Sequence, residues 1–354
     1  MRALKLTLLS FACAMMLCCN YAQAGGGGGS SDDAKTRFPI VLIHGLGGNT
    51  APYNSDYWPG IKSWISNEGG TYIEPNLGRY TNAETQGQTL VTELENWKSA
   101  NDKPDMVFNL IGHSKGGLVA RVALKDTSNE NDVSNLIATI ATIATPHNGT
   151  GISSHSDFAS VGRILTDIIS TGGVEDFSTV KADIERLSIE NMKQFNNKYP
   201  KGVVAGNSGT INGNHSCRRP NTAEQFLGYF TDSDSGQRRK IMGVSWTGVI
   251  YPSRTHLAIA GDSTNVTEGE FKAFWENVMG IEPSYLANRI TQFMHGDAAN
   301  DGLVPVCGSM FADWYGMSGG VDHNDAVGQV GGVGLGKGID KIKSHIRRLK
   351  ANNF

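Results

Sequence analysis

The stretch from Asp105 to Ala123 constrains this chain most. Its first part, Asp105-Met106-Val107-Phe108-Asn109-Leu110-Ile111, is an apolar run of strand length. Leu118, Val119, Val122 and Ala123 then recur at helical spacing. Only a few residues, around Gly112-His113-Ser114-Lys115-Gly116, lie between strand and helix. Such an abrupt turn strains the backbone at its apex, and bulky neighbours would collide. Glycines two before and two after the apex remove those collisions. The apex is Ser114, presented at a helix N-terminus where peptide dipoles favour developing negative charge. The strand before and the helix after separate this Gly-x-Ser-x-Gly from a chance match, and they mark Ser114 as a candidate nucleophile.

The first residues read as an address. Arg2 and Lys5 form a positive n-region, and Leu6 to Cys19 form an apolar run too short to span a bilayer. Ala22-Gln23-Ala24 has the small-x-small form of a signal peptidase site. A signal peptide over 1–24, a glycine-rich flexible linker over 25–36 and a single domain over 37–354 follow from this reading. The expected localisation is secreted, by way of the periplasm. Losing the leader removes two positive charges and no acid, so the formal charge moves from −3 to −5. That mild acidity, without long runs, gives no support for nucleic-acid binding. Only Cys217 and Cys307 remain, and two cysteines in an exported chain favour one disulfide over a zinc site.

Phe38 to Ile43 is an unbroken apolar run, as a parallel strand buried on both faces requires. The pattern then predicts a helix from Tyr57 to Ser66, a strand over Gly70–Glu74, a helix over Thr85–Ala100 and a buried strand over Leu136–Ile143. This alternation predicts an α/β fold with a mostly parallel central sheet flanked by helices. With the turn at Ser114 read as a nucleophile elbow, the fold class is an α/β-hydrolase. In that fold the loop after the first of these strands and the residue after the nucleophile each donate a backbone N–H to an oxyanion hole. Here these residues are Leu46, in His44-Gly45-Leu46-Gly47-Gly48, and Lys115.

The remaining triad members follow from chain order, which in this fold is Ser, then Asp or Glu, then His. Asp301 lies in a polar turn before Leu303-Val304-Pro305-Val306, with Asp297 as the alternative. Only His323 and His345 follow Asp301. His345 sits in the basic segment Lys341–Arg348, which reads as a solvated helix face, so His323 is the expected base. His44 and His113 read as packing or hydrogen-bonding residues of their loops.

Thr145-Pro146-His147-Asn148-Gly149, taken with Phe38–Gly48 and the Gly-His-Ser-x-Gly-Gly elbow, resembles the secreted bacterial triacylglycerol lipases of the Pseudomonas and Burkholderia type. Lys198-Tyr199-Pro200, Gly243–Gly248, Asn300–Val304, His323-Asn324-Asp325 and His345–Lys350 extend the resemblance in order over nearly all of the mature chain. The resemblance implies a helical lid at about 150–200, where Phe158, Val161, Ile164, Leu165, Ile168 and Ile169 recur at helical spacing. It also implies a structural Ca²⁺ held by carboxylates of Glu282 and Asp325 and by backbone carbonyls of Gln329 and Val333. Glu282 stands where the family has aspartate. A disulfide between Cys217 and Cys307 is implied too, as are a lipid or emulsified ester substrate and a steric chaperone. Lys115 departs from the family's usual Gln or His and puts a cation beside the site. The glycines at 328, 331, 332, 334 and 336 loosen the expected calcium loop. The function expected from these residues and the resemblance together is triacylglycerol hydrolysis through an acyl-enzyme. A short-chain esterase or acyltransferase is the alternative, and a non-catalytic lipid-binding protein is disfavoured by the filled triad.

Overall fold

Parallel strands buried on both faces organise the computed structural model. The structure describes residues 32–48, 56–150, 177–204, 217–249, 300–301, 303–329 and 335–354. In chain order the elements are β1 (Ile40–Ile43), α1 (Ile61–Asn67), β2 (Tyr72–Ile73), α2 (Ala83–Ala100), β3 (Phe108–His113), α3 (Lys115–Thr127), β4 (Val133–Ser134) and β5 (Ile137–Ile143). Then come α4 (Phe177–Glu185), α5 (Ile189–Lys198), β6 (Tyr229–Thr231), β7 (Arg238–Lys240), β8 (Met242–Val249), β9 (Asp313–Gly319) and α6 (Leu335–Ala351). Short 3₁₀ turns occupy Cys307–Ser309 and Asp325–Val327.

The main sheet has strand order β2-β1-β3-β5-β8-β9, and each neighbouring pair is parallel. Side chains alternate across it, which is why both faces need apolar residues. Val41, Ile43 and Leu110 pack with Leu90 and Leu94 of α2 and Val119 and Ala123 of α3. Ile40, Leu42 and Ile111 face the other way, against Ile61 and Ile65 of α1 and Ile342 and Ile346 of α6. A small second sheet, β4-β6-β7, completes the described strands.

Register positions the site. Ile43 lies opposite Gly112, His113 opposite Ile143, and Ile143 opposite Trp246. The C-terminal ends of β1, β3 and β5 therefore finish level beside Trp246 of β8. The loops that leave them converge on one edge, where ligands of open α/β sheets bind.

The elements differ from expectation mostly at their ends. β3 begins at Phe108 rather than Asp105, because Met106 N–H closes a turn onto the Lys103 carbonyl, and it runs on to His113. α1 starts at Ile61, while Tyr57 and Trp58 precede it as buried side chains. Asn82 caps α2 by accepting from Thr85 N–H at 2.8 Å. The last residues of the expected linker are packed: Ala34 is buried and its N–H donates to Glu68 O. The signal-peptide residues and residues 150–176 of the expected lid, Thr150 apart, lie outside the described residues. No described helix is long and apolar enough to cross a membrane.

His345 is a correction. It is buried against Trp246 rather than solvated, because Ile342, His345, Ile346 and Leu349 share the inward stripe of α6. Its charged neighbours in sequence occupy the opposite phase. Burial drives its pKa from 6.5 down to about 3, with Arg348 adding in the same direction. The unfolded chain binds this proton near pH 6.5 and the folded chain does not, so His345's contribution is complete above about 6.5 and is lost as pH falls towards 3. His345→Leu should therefore flatten the acid limb of stability by on the order of a few kcal/mol. Urea titrations at pH 7 and pH 4 check this, and an unchanged pH dependence would remove the assignment.

Candidate active site

Ser114 follows β3 and starts α3 with φ 52° and ψ −127°, a strained conformation for a residue with a side chain. Its N–H donates to Ile143 O at 2.8 Å. A Cβ on Gly112 would lie 2.6 Å from the Gly116 carbonyl, and one on Gly116 would lie 2.3 Å from Ile43 O. Both glycines are thus required by close approach, since real Cβ atoms do not come so near. The same holds at Gly45, where a Cβ would meet the Ser114 Cβ at 2.8 Å. The loop after β1 therefore packs directly on the serine.

Asp301 and His323 meet across 22 residues of chain. His323 Nδ1 donates to Asp301 Oδ2 at 2.9 Å, and His323 N–H donates to Asp301 O at 2.9 Å. The other carboxylate oxygen, Oδ1, accepts from the N–H groups of Leu303 (3.0 Å) and Val304 (2.7 Å). Thr247 Oγ1, just beyond the level strand ends, donates to Oδ2 at 3.2 Å. A carboxylate held by four donors has little freedom to rotate, and it holds the imidazole with Nδ1 protonated. His323 Nε2 is then the acceptor. His323 and Ser114 line one cavity of about 110 Å³, walled by Leu46, Pro146, Ile184, Leu187, Leu303 and Val304. A strained serine, an oriented imidazole and apolar walls form a set suited to acyl transfer.

Two groups beneath the site act together: Tyr57, which has no role from sequence, and His113, expected to pack or hydrogen-bond within its loop. Tyr57 Oη accepts from Gly45 N–H at 2.7 Å and lies 2.7 Å from His113 Nδ1. His113 Nε2 lies 2.9 Å from the His323 carbonyl, which only accepts, so Nε2 carries the proton and Nδ1 accepts from Tyr57. Burial, with His323 nearby, holds His113 well below its ordinary pKa, and burial raises that of Tyr57. A neutral relay thus joins the loop after β1 to the His323 loop. Tyr57-Trp58-Pro59 carries no local pattern that announces this role. Thr247 was visible within Gly243–Gly248, but only the fold brings it to Asp301.

Lys115 is the other surprise. Its ammonium is buried away from the ester cavity, donating to Thr81 O at 2.9 Å and pairing with Asp183. Burial lowers its pKa, and Asp183 opposes that shift.

Cys217 and Cys307 form a disulfide with Cα atoms 5.2 Å apart, tying the turn after Asp301 to the middle of the chain. Asp325 is buried on the 3₁₀ turn two residues after His323, and Gln329 Nε2 donates to Tyr57 O at 3.3 Å. Glu282, Val333 and the alternative acid Asp297 lie outside the described residues. Among the described residues no group of three or more His, Cys, Asp and Glu could hold a metal ion.

Residues 39–184 match the family model described as palmitoyl protein thioesterase. A triacylglycerol lipase of Pseudarthrobacter phenanthrenivorans is 27% identical over 343 residues, covering 90% of this chain and 98% of the relative. One from Burkholderia plantarii is also 27% identical, covering 90% and 87%. Among solved structures, lipase 1 from Pelosinus fermentans superposes with a TM-score of 0.55 at 14% identity, over 89% of this chain and 99% of that one. EstA from Clostridium botulinum gives 0.52 at 15% identity, over 94% and 89%. The chain is an enzyme of the α/β-hydrolase fold and a relative of the bacterial triacylglycerol lipases.

Proposed function

We propose that this protein is a secreted triacylglycerol lipase working through Ser114, His323 and Asp301. The observation that carries the reading is the Asp301–His323 hydrogen bond opening onto the cavity that contains the strained Ser114. In this mechanism Ser114 Oγ attacks the ester carbonyl while His323 Nε2 takes its proton. The backbone N–H groups of Leu46 and Lys115 receive the negative charge on the carbonyl oxygen; one such donor is typically worth about 10²–10³ in rate. His323 then protonates the departing glycerol oxygen, leaving an acyl-enzyme. A water activated by the same imidazole releases the fatty acid. Asp301 keeps the proton on Nδ1 and stabilises the imidazolium throughout.

Hydrolysis of emulsified triacylglycerols of increasing acyl length is the test. Release of fatty acid from long chains is expected. Turnover restricted to short soluble esters would replace the lipase reading with an esterase, and an acyl-alcohol product would indicate a transferase.

The same proposal includes a structural Ca²⁺ beside the His323 loop, and a steric chaperone and a periplasmic route for export. The described part of the ligand set suits a hard cation: a buried carboxylate at Asp325 and the nearby carbonyl-bearing residue Gln329, with no thiol or imidazole among them. Glu282 and the Val333 carbonyl would complete it. The ion would brace the turn and take no part in bond-making. Chelation by EDTA should lower Tm by several degrees, with recovery on Ca²⁺ but not Mg²⁺, read by differential scanning fluorimetry. A Tm indifferent to chelator would remove the ion from the proposal.

A further inference from the structure

The buried ion pair between Lys115 and Asp183 joins two parts of the site that sequence keeps apart. Both side chains are about 1% exposed, so the pair is largely shielded from bulk solvent. Lys115 is the first residue of α3, and its backbone N–H is one of the two proposed oxyanion donors. Asp183 lies on α4, and the residues that follow it, Ile184 and Leu187, form a wall of the ester cavity. One face of this segment therefore lines the ester cavity while the adjacent face holds the proposed oxyanion residue. Leu187 is tied in turn to the loop after β5, since Thr150 N–H donates to Leu187 O at 2.9 Å.

The charges around Lys115 explain why the pair must stay intact. Arg186 approaches Asp183 Oδ1 at 3.6 Å and disfavours a second cation nearby. Glu84, at the start of α2, is engaged by Lys198 of α5 at 2.7 Å. Both share with Lys115 a cavity of about 390 Å³. On the β1 side His44 is held neutral, its pKa lowered to about 4 mainly by burial, with the Lys115 charge acting in the same direction. Asp183 is thus the acid that makes a full-strength contact with the buried ammonium, and Thr81 O supplies the remaining acceptor.

We propose that Asp183 is a positioning residue for ester hydrolysis: by pairing with Lys115 it holds the oxyanion N–H in register with the apolar cavity wall of Ile184 and Leu187. The inference rests on the assignment of Ser114 and the oxyanion donors above. It makes the cation at position 115 a fastening between α3 and α4 and not a charge presented to substrate. A misplacement of about 1 Å in such a donor is enough to slow acyl transfer roughly 10²-fold.

The test uses diethyl 4-nitrophenyl phosphate, which phosphorylates a serine nucleophile whatever acyl chain the enzyme prefers. The Ser114 Oγ–P bond forms as the P–O bond to 4-nitrophenolate breaks, and the serine proton passes to His323. Second-order labelling rates are compared across pH 6–10 for the parent, Asp183→Asn, Lys115→Gln and the double variant Lys115→Gln/Asp183→Asn, each normalised to folded protein by circular dichroism. Asp183→Asn should lower the rate about 10- to 100-fold. That deficit should shift with pH, shrinking towards pH 10, because the buried ammonium that has lost its counter-charge gives up its proton more readily and leaves two neutral hydrogen-bonding partners. The double variant, with neutral hydrogen-bonding partners, should return to within a few-fold of the parent and lose that shift. Should Asp183→Asn not fold, Lys115→Gln set against the double variant makes the same comparison. Single variants with a lower Tm but the parent's rate and pH profile would overturn the proposal and leave the pair merely structural. A parent labelled at Ser114 yet inert towards triacylglycerols would defeat the lipase reading while these rates still decide the role of Asp183. A parent that is not labelled would defeat both.

Discussion

Ser114→Ala should lower ester hydrolysis by at least about 10⁴-fold, the largest effect expected of any single change. The substitution removes Oγ and nothing else from the turn. The strained φ of 52° is imposed by the packing of Gly112 and Gly116 and by the bond from Ser114 N–H to Ile143 O, none of which needs the hydroxyl. The variant should therefore fold with the parent's circular dichroism and a similar Tm, and it should bind substrate without turning it over. Fatty-acid release by pH-stat, together with mass spectrometry after organophosphate treatment, reads both halves of the prediction. A variant that retains the parent's rate would show that another group forms the acyl-enzyme, and the elbow assignment would fall.

Asp301→Asn should cost about 10³–10⁴ in kcat with little change in KM. The reason lies in how the carboxylate is held. Oδ1 accepts from Leu303 and Val304 N–H, so an asparagine places its carbonyl oxygen there and its amide NH₂ in the place of Oδ2. That NH₂ then faces His323 Nδ1, which must accept, and the ring proton moves to Nε2, where the base should be free. Geometry survives while the tautomer is wrong. Steady-state kinetics on a soluble ester and an NMR reading of the His323 ring nitrogens check the two statements. A fall of less than tenfold would show that His323 does not depend on Asp301. Thr247, which donates to the Oδ2 that also holds His323, supports the same orientation through one further hydrogen bond.

Much of the architecture was legible because its signals are local. Unbroken apolar runs at Phe38–Ile43 and Leu136–Ile143 are what a strand buried on both faces requires, and both are strands of the parallel sheet. The turn at Ser114 was readable because its signature spans five residues: Gly112 is demanded by the closeness of β3 to α3, and Gly116 by the Ile43 carbonyl of β1. Asp301 and His323 were picked out by chain order, and the fold brings them into hydrogen-bond contact. The boundaries of β3 and α1 shifted because turns before them, at Met106 and at Tyr57-Trp58, bury apolar side chains without regular backbone pairing. His345 was misread for want of phase: its basic neighbours outweighed, in the reading, its spacing from Ile342 and Leu349.

By itself, then, the sequence determined the sheet, the helices that cover it and the serine at its edge, since burial on one or two faces leaves a period in the chain. Tertiary structure alone decided who meets that serine's neighbours. Tyr57 reaches His113 across 56 residues, Lys115 reaches Asp183 across 68, and Thr247 reaches Asp301 across 54. Each of these contacts forms because strand ends and helices converge at one edge of a parallel sheet, and a contact between distant segments leaves no periodicity in either of them.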